Sequence, residues 1–285
     1  MSSIKQILLD LGLVTESNIE IFSESTRDVE GLKVFRDKKT RVIFIDAHYK
    51  NKTIYPDESD EDTGLSTFED TLDLQRRLDD YRQFVFNKDI LDFGCGKGDF
   101  LLKIQSSAKS VRGVEIDKNY LKFLNSKNIS CYESIEDLDN ASLDTVFGFH
   151  SLEHVGNPIE ILSGLRKKIV DKGYVIFEVP HANDFLIENL KCSHFIDFTL
   201  WSQHLILHTR QSLQTFLLEA GYSKITIQAK QRYSVANHLY WLTNGKPGGH
   251  KSDLSLIDTT ELKNAYERSL QMINATDTLI AVAQV

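Results

Sequence analysis

From Asp89 to Leu101 the chain reads Asp-Ile-Leu-Asp-Phe-Gly-Cys-Gly-Lys-Gly-Asp-Phe-Leu, an apolar run that ends in an acid and breaks into glycines at alternate positions. Phe100, Leu101 and Ile104 then resume an apolar pattern at helical spacing. The sequence is strand, glycine-rich turn, helix, the place where a doubly wound α/β sheet holds a nucleotide-like ligand. Glycines there let the backbone approach a ligand and take dihedrals closed to other residues. A dinucleotide turn reads G-x-G-x-x-G and faces a pyrophosphate. Here the sixth position is Asp99, and an added carboxylate opposes a pyrophosphate. An acid leading into G-x-G-x-G suits a ligand with an amino group and a cationic centre.

Three glycines alone also make an ordinary turn; the residues that follow argue for more. After a helix from Phe100 to Ser107, a second strand runs from Ser110 to Ile116 and carries Glu115 near its end. A Rossmann-like site places an acceptor there, roughly 20 residues beyond the turn, to bond both hydroxyls of a ribose. Ile116 offers an apolar surface to an adenine ring.

Together these residues resemble the glycine-rich motif and second-strand acid of class I S-adenosylmethionine-dependent methyltransferases. The resemblance is closest to members acting on small molecules and sugars, and covers residues 65–232 together with the final strand. It implies an α/β, Rossmann-like fold: a seven-stranded, mostly parallel sheet with helices on both faces and the last strand antiparallel beside the fifth. It implies S-adenosyl-L-methionine as cofactor, held by Asp92, Gly94, Cys95, Gly96, Gly98, Glu115 and Ile116. Ser134 and Ile135 stand where relatives contact adenine, although relatives usually have Asp where this chain has Ser134. Phe149 leads into His150-Ser151-Leu152-Glu153-His154, a segment that in such folds lies under the transferred methyl. The Asn/Asp-Pro-Pro-Tyr/Phe motif of adenine and glutamine methylating relatives is missing there.

The pattern of strands agrees. Strands are expected at 89–93, 110–116, 129–132, 143–149 and 174–179, then 225–231 and 278–283, with a helix from Gln211 to Ala220 capped by Gly221. Upstream, residues 32–36 and 41–45 form a hairpin turned by Asp37-Lys38-Lys39-Thr40. Residues 66–85 carry one apolar stripe and read as an amphipathic helix. The acidic block Asp57–Asp62 reads as a solvated linker. The division expected is an accessory region over 1–63 and a methyltransferase domain over 64–285, with helical lid inserts at about 181–210 and 232–275.

Composition narrows the function. The net charge is −8 and the pI near 5.6, which disfavours nucleic acid as a partner because a broad basic face is missing. Cys95, Cys131 and Cys192 show no paired spacing, so neither a disulfide framework nor a cysteine zinc module is expected. Asp10 breaks the Ile7-Leu8-Leu9 run before signal-peptide length, and no apolar stretch reaches the roughly 18 residues of a membrane span. The expectation is a cytoplasmic protein with no membrane partner; the sequence leaves its oligomeric state open.

Histidines gather after the strand ends. His150, His154 and His181 are the candidates for a general base, since a histidine titrates near neutrality. His204 and His208 are spaced for one helix face, but with no third ligand at a defined spacing no metal is expected. Aromatic residues in the two inserts suit a sugar ring or another small polyhydroxylated acceptor. The activity expected is methyl transfer to oxygen or nitrogen of such an acceptor. The alternatives are a protein or RNA methyltransferase, and an inactive cofactor-binding module of the same fold.

Overall fold

The computed structural model describes residues 3–46 and 66–285; the acidic block expected as a linker lies outside them. In chain order the elements are α1 (Ile4–Asp10), β1 (Ile19–Ser23), β2 (Val34–Asp37), β3 (Ile43–Ile45), α2 (Ser66–Asp80) and α3 (Arg82–Val85). Next come β4 (Asp89–Phe93), α4 (Asp99–Ile104), β5 (Ser110–Val114), α5 (Lys118–Ser126), β6 (Ser130–Tyr132) and β7 (Leu143–Phe149). The chain continues with α6 (Pro158–Lys168), β8 (Ile169–Pro180), α7 (Phe185–Glu188), α8 (Ser193–Thr199) and β9 (Ile206–Leu207). It closes with α9 (Arg210–Glu219), β10 (Ser223–Lys230), α10 (Val235–Asn244), α11 (Thr260–Met272) and β11 (Thr278–Gln284).

Seven strands form one sheet in the order β10-β11-β8-β7-β4-β5-β6. Neighbours from β8 through β6 pair in parallel, while β11 runs antiparallel to both β8 and β10. The central strands are apolar on both faces, as a sheet covered by helices requires. Ile90 and Leu91 in β4, Val146 and Phe147 in β7, and Ile176 and Phe177 in β8 are all fully buried. Two apolar clusters result, one on each face of the sheet. The carboxyl ends of β4, β5, β7 and β8 therefore open along one edge, where ligands bind in such sheets.

The expected hairpin forms in register, with Val34 opposite Ile45, Phe35 opposite Phe44 and Arg36 opposite Ile43. Asp37 closes its turn by accepting from the Lys39 and Thr40 amides, both at 2.8 Å. Two extensions were not legible in sequence: β1 pairs with β2, and β9 pairs with β3, placing Ile43 opposite Leu207 and Phe44 opposite Ile206. The second extension draws the segment after β8 onto the N-terminal sheet. Leu205, Ile206 and Leu207 are buried, each such side chain worth about 1.5–3 kcal/mol when removed from water. The single helix expected over 66–85 is two, α2 and α3, divided at Tyr81. No helix among the described residues is long and apolar enough to cross a membrane.

Candidate active site

Local geometry at the glycine turn follows from its residues. Gly94, Gly96 and Gly98 all have positive φ, +71°, +52° and +75°. Gly98 is the N-cap of α4, so the turn needs a residue free to adopt the left-handed region. A Cβ at Gly96 would meet nothing within 4 Å, whereas one at Gly94 would strike the Ser151 side chain at 2.6 Å. The space over Gly96 is an open cradle. Glu115, almost fully buried, accepts from the Gly96 amide at 2.7 Å through Oε2 and from the Asp117 amide at 2.9 Å through Oε1. Asp117 in turn caps α5 by accepting from the Asn119 and Tyr120 amides.

Asp92 is buried and its Oδ1 has no hydrogen-bond partner. Burial pushes its carboxyl up to about 8, against the pull of Arg77. A buried unsatisfied carboxylate is costly, which makes this atom a place for a cationic or donor group. Ile116 leaves about half of its surface to solvent beside Glu115. The open cradle, the ribose-type acid, the exposed apolar residue and the orphaned oxygen all fit an adenosyl cofactor with a charged amino acid tail.

Four sequence-predicted residues have side chains already engaged within the protein. The Cys95 sulfur points beneath the turn and lies 4.0 Å from that of Cys131. Only the backbone of Cys95 remains for a ligand. Ile135 turns its side chain into the core against Gly164. Ser134 spends its hydroxyl on the Glu136 amide at the start of the short helix Ile135–Asp137. Phe149 stacks with Tyr81 and Phe147 and lies under the Arg77 guanidinium, 4.2 Å from its ring centre.

Beside this cradle sits a charge cluster that sequence reading missed. Glu178, fully buried near the end of β8, accepts two bonds from Arg76 at 2.8 Å, one from Arg77 at 3.0 Å and one from the Tyr81 hydroxyl at 2.6 Å. Asp73 accepts from Arg76 at 2.7 Å and from Arg232 at 2.9 Å. Burial pushes the Asp73 carboxyl upward, but Arg232, Arg77 and Arg76 hold it down at about 2. The available signal was the Arg-Arg pair on α2 and a carboxylate inside the apolar run 175–179 of β8.

The histidines separate into different environments. His150 follows β7 with φ +52°, a strained conformation for a side-chain-bearing residue. Arg232 donates to its Nε2 at 2.7 Å, and its Nδ1 faces Glu153 Oε1 at 3.5 Å. Burial, with Arg232 and Arg77 nearby, holds the His150 imidazole well below its usual range. His181, at the end of β8, is buried and donates from Nδ1 to the Thr276 carbonyl. His208 is fully buried against Ser212 and Phe216, away from His204 despite their sequence spacing.

His204 instead meets His154, their ring centres 5.1 Å apart. His154 Nδ1 donates to the Gln203 carbonyl and His204 Nδ1 to the Thr199 carbonyl, both at 2.9 Å. Carbonyls only accept, so each ring carries its proton on Nδ1 and a bare lone pair on Nε2. Glu153 is 1% exposed and neither carboxylate oxygen has a hydrogen-bond partner. One ligand atom from each of Glu153, His154 and His204 can be chosen so that all lie within 4.8 Å of one another.

Arg232 also walls a cleft of about 440 Å³, lined in addition by Arg76, Tyr233, Asp258, Tyr266 and Glu267. Its volume lies within the range of small-molecule sites. His150 thus stands between this cleft, through Arg232, and the Glu153–His154–His204 cluster.

Comparison with known proteins agrees with this fold. A family model described as a methyltransferase domain matches residues 71–227. No curated protein matches the chain in sequence. A solved S-adenosylmethionine-dependent methyltransferase from Archaeoglobus fulgidus is similar at 19% identity and a TM-score of 0.53, covering 78% of this chain and 98% of its own. Another from Mesorhizobium loti is 14% identical with a TM-score of 0.49, covering 73% and 97%. The architecture is the Rossmann-like class I methyltransferase fold.

Proposed function

We propose, from the premise that this chain belongs to the methyltransferase-domain family matched over more than half its length, that it methylates oxygen or nitrogen of a small, sugar-like acceptor. The methyl donor is S-adenosyl-L-methionine, which supplies a carbon already activated by its sulfonium. Glu115 would accept the ribose hydroxyls, the Gly94–Gly98 backbone would lie against the ligand, Ile116 would pack on adenine, and Asp92 would face the amino group. The chain's own task is to align the acceptor with that carbon and exclude water.

The observation that carries the acceptor class is the 440 Å³ cleft beside His150. Tyr233 and Tyr266 offer aromatic faces, while Asp258 and Glu267 offer hydrogen-bond acceptors suited to hydroxyls. A cleft of that size suits one small molecule. The inserts at about 181–210 and 232–275 would act as the lid that selects the acceptor, in a cytoplasmic enzyme. Proton acceptance belongs to the strand ends, at His150, His154 or His181.

The test is methyl transfer from labelled donor to free sugars, sugar nucleotides, RNA and protein, run beside S-adenosylhomocysteine calorimetry. Label on a small acceptor supports the reading, and label only on RNA or protein overturns it. Among the three histidines, replacing the residue that handles the proton should lower turnover by about 10²–10⁴ with unchanged cofactor affinity. Three alanine variants with normal turnover would remove a histidine from the chemistry.

A further inference from the structure

The atoms of the Glu153–His154–His204 cluster are arranged as metal ligands are. We propose that it binds one divalent transition metal ion, of the Zn²⁺ and Co²⁺ type, through His154 Nε2, His204 Nε2 and the Glu153 carboxylate.

Three observations support the site independently. Both imidazoles are held in one tautomer by backbone carbonyls on Nδ1, the outer-shell arrangement that orients a ligating histidine and leaves Nε2 for the metal. Glu153 is an almost wholly buried carboxylate with two unsatisfied oxygens, a state that a bound cation would relieve. The ligand atoms are already gathered: Glu153 Oε1 lies 4.0 Å from His154 Nε2, and the full set spans no more than 4.8 Å. Two ligands at Zn²⁺ bonding distance stand about 3.4 Å apart at a tetrahedral angle. Closing the cluster therefore takes shifts of about an ångström in side chains.

The scaffold explains why these three residues meet. Glu153 and His154 lie on the short helix Leu152–His154 directly after β7. His204 arrives from a segment some fifty residues later, docked because β9 pairs with β3 and the Leu205 amide donates to the Glu153 carbonyl at 2.8 Å. Trp201 stands edge-on to both rings, 5.7 Å from His154 and 5.5 Å from His204 between ring centres. Two imidazoles and one carboxylate favour a borderline transition metal over Mg²⁺, which prefers an all-oxygen octahedron. Three protein ligands leave an open coordination position, and the His154 side chain is still 24% exposed.

The use of that open position rests on the methyl-transfer reading above. A metal ion held by the cluster would act as a Lewis acid towards an acceptor oxygen. His154 would then be a ligand, leaving His150 and His181 as the candidate bases.

The experiment is Co²⁺ titration of the full metal-stripped chain, followed by visible absorption, with Zn²⁺ and Mg²⁺ calorimetry beside it. One Co²⁺ per chain with a d–d band, and Zn²⁺ preferred over Mg²⁺, is the expected result. His204→Gln and Glu153→Gln should each weaken Co²⁺ binding by about 100-fold or more, at least the loss seen when outer-shell partners are removed. Circular dichroism and S-adenosylhomocysteine binding report whether each variant is folded. No stoichiometric Co²⁺ or Zn²⁺ on the wild-type chain overturns the site, as does binding that both folded variants retain. Metal binding without S-adenosylhomocysteine binding would keep the site and sink the methyl-transfer reading.

Discussion

The amide of Gly96 donates to Glu115 at 2.7 Å, so the glycine turn after β4 is tied to the acid that follows β5. The same carboxylate takes the Asp117 amide and thereby also fixes the start of α5. One side chain organises the backbone on which the cofactor would lie.

Replacement of Glu115 separates these two tasks. Charge-assisted bonds to the ribose hydroxyls are worth roughly 1.5–3 kcal/mol each. Glu115→Ala should weaken S-adenosylhomocysteine binding by an order of magnitude or more. Glu115→Gln keeps one acceptor oxygen and should fall between Glu115→Ala and the wild type. An unchanged dissociation constant in calorimetry would take Glu115 out of the site.

Two glycines should respond oppositely to substitution. At Gly96 the space is open and φ is +52°; an alanine costs only the left-handed backbone, about 1–2 kcal/mol, and Gly96→Arg should abolish cofactor binding by filling the cradle. At Gly148 a Cβ would stand 2.2 Å from the Phe177 ring. Gly148→Ala should therefore cost about 1–3 kcal/mol of stability by overpacking. Calorimetry on Gly96→Arg and denaturant unfolding of Gly148→Ala check the contrast; a Gly96→Arg chain that still binds cofactor, or a Gly148→Ala chain as stable as the wild type, would contradict it.

Acid should unfold the Asp73 network in a defined window. The folded carboxyl titrates at about 2, below its ordinary 3.8, because Arg232, Arg77 and Arg76 outweigh burial. Its contribution is present above the unfolded value and lost as pH falls through the folded one. The shift is worth about 2 kcal/mol of stability at neutral pH. Asp73→Asn should flatten the decline in stability between pH 4 and pH 2, measured by denaturant titration at each pH. A variant with the wild-type acid profile would show that other groups control it.

The sequence alone determined the glycine turn, the acid at Glu115, and the alternation that builds the sheet. These features are local: periodicity sets strand or helix, and a turn needs its glycines wherever the chain goes. Even the hairpin at 34–45 was legible, because its register depends on residues a few positions apart. Tertiary structure decided the side-chain directions, turning Cys95 and Ile135 inward although their positions along the chain matched the motif. It also built the long-range clusters. Glu178 draws its arginines from α2, roughly a hundred residues earlier. His204, spaced in sequence to partner His208, packs instead with Glu153 and His154 because β9 pairs with β3. No local pattern encodes that contact, since it depends on two distant segments burying their apolar faces together.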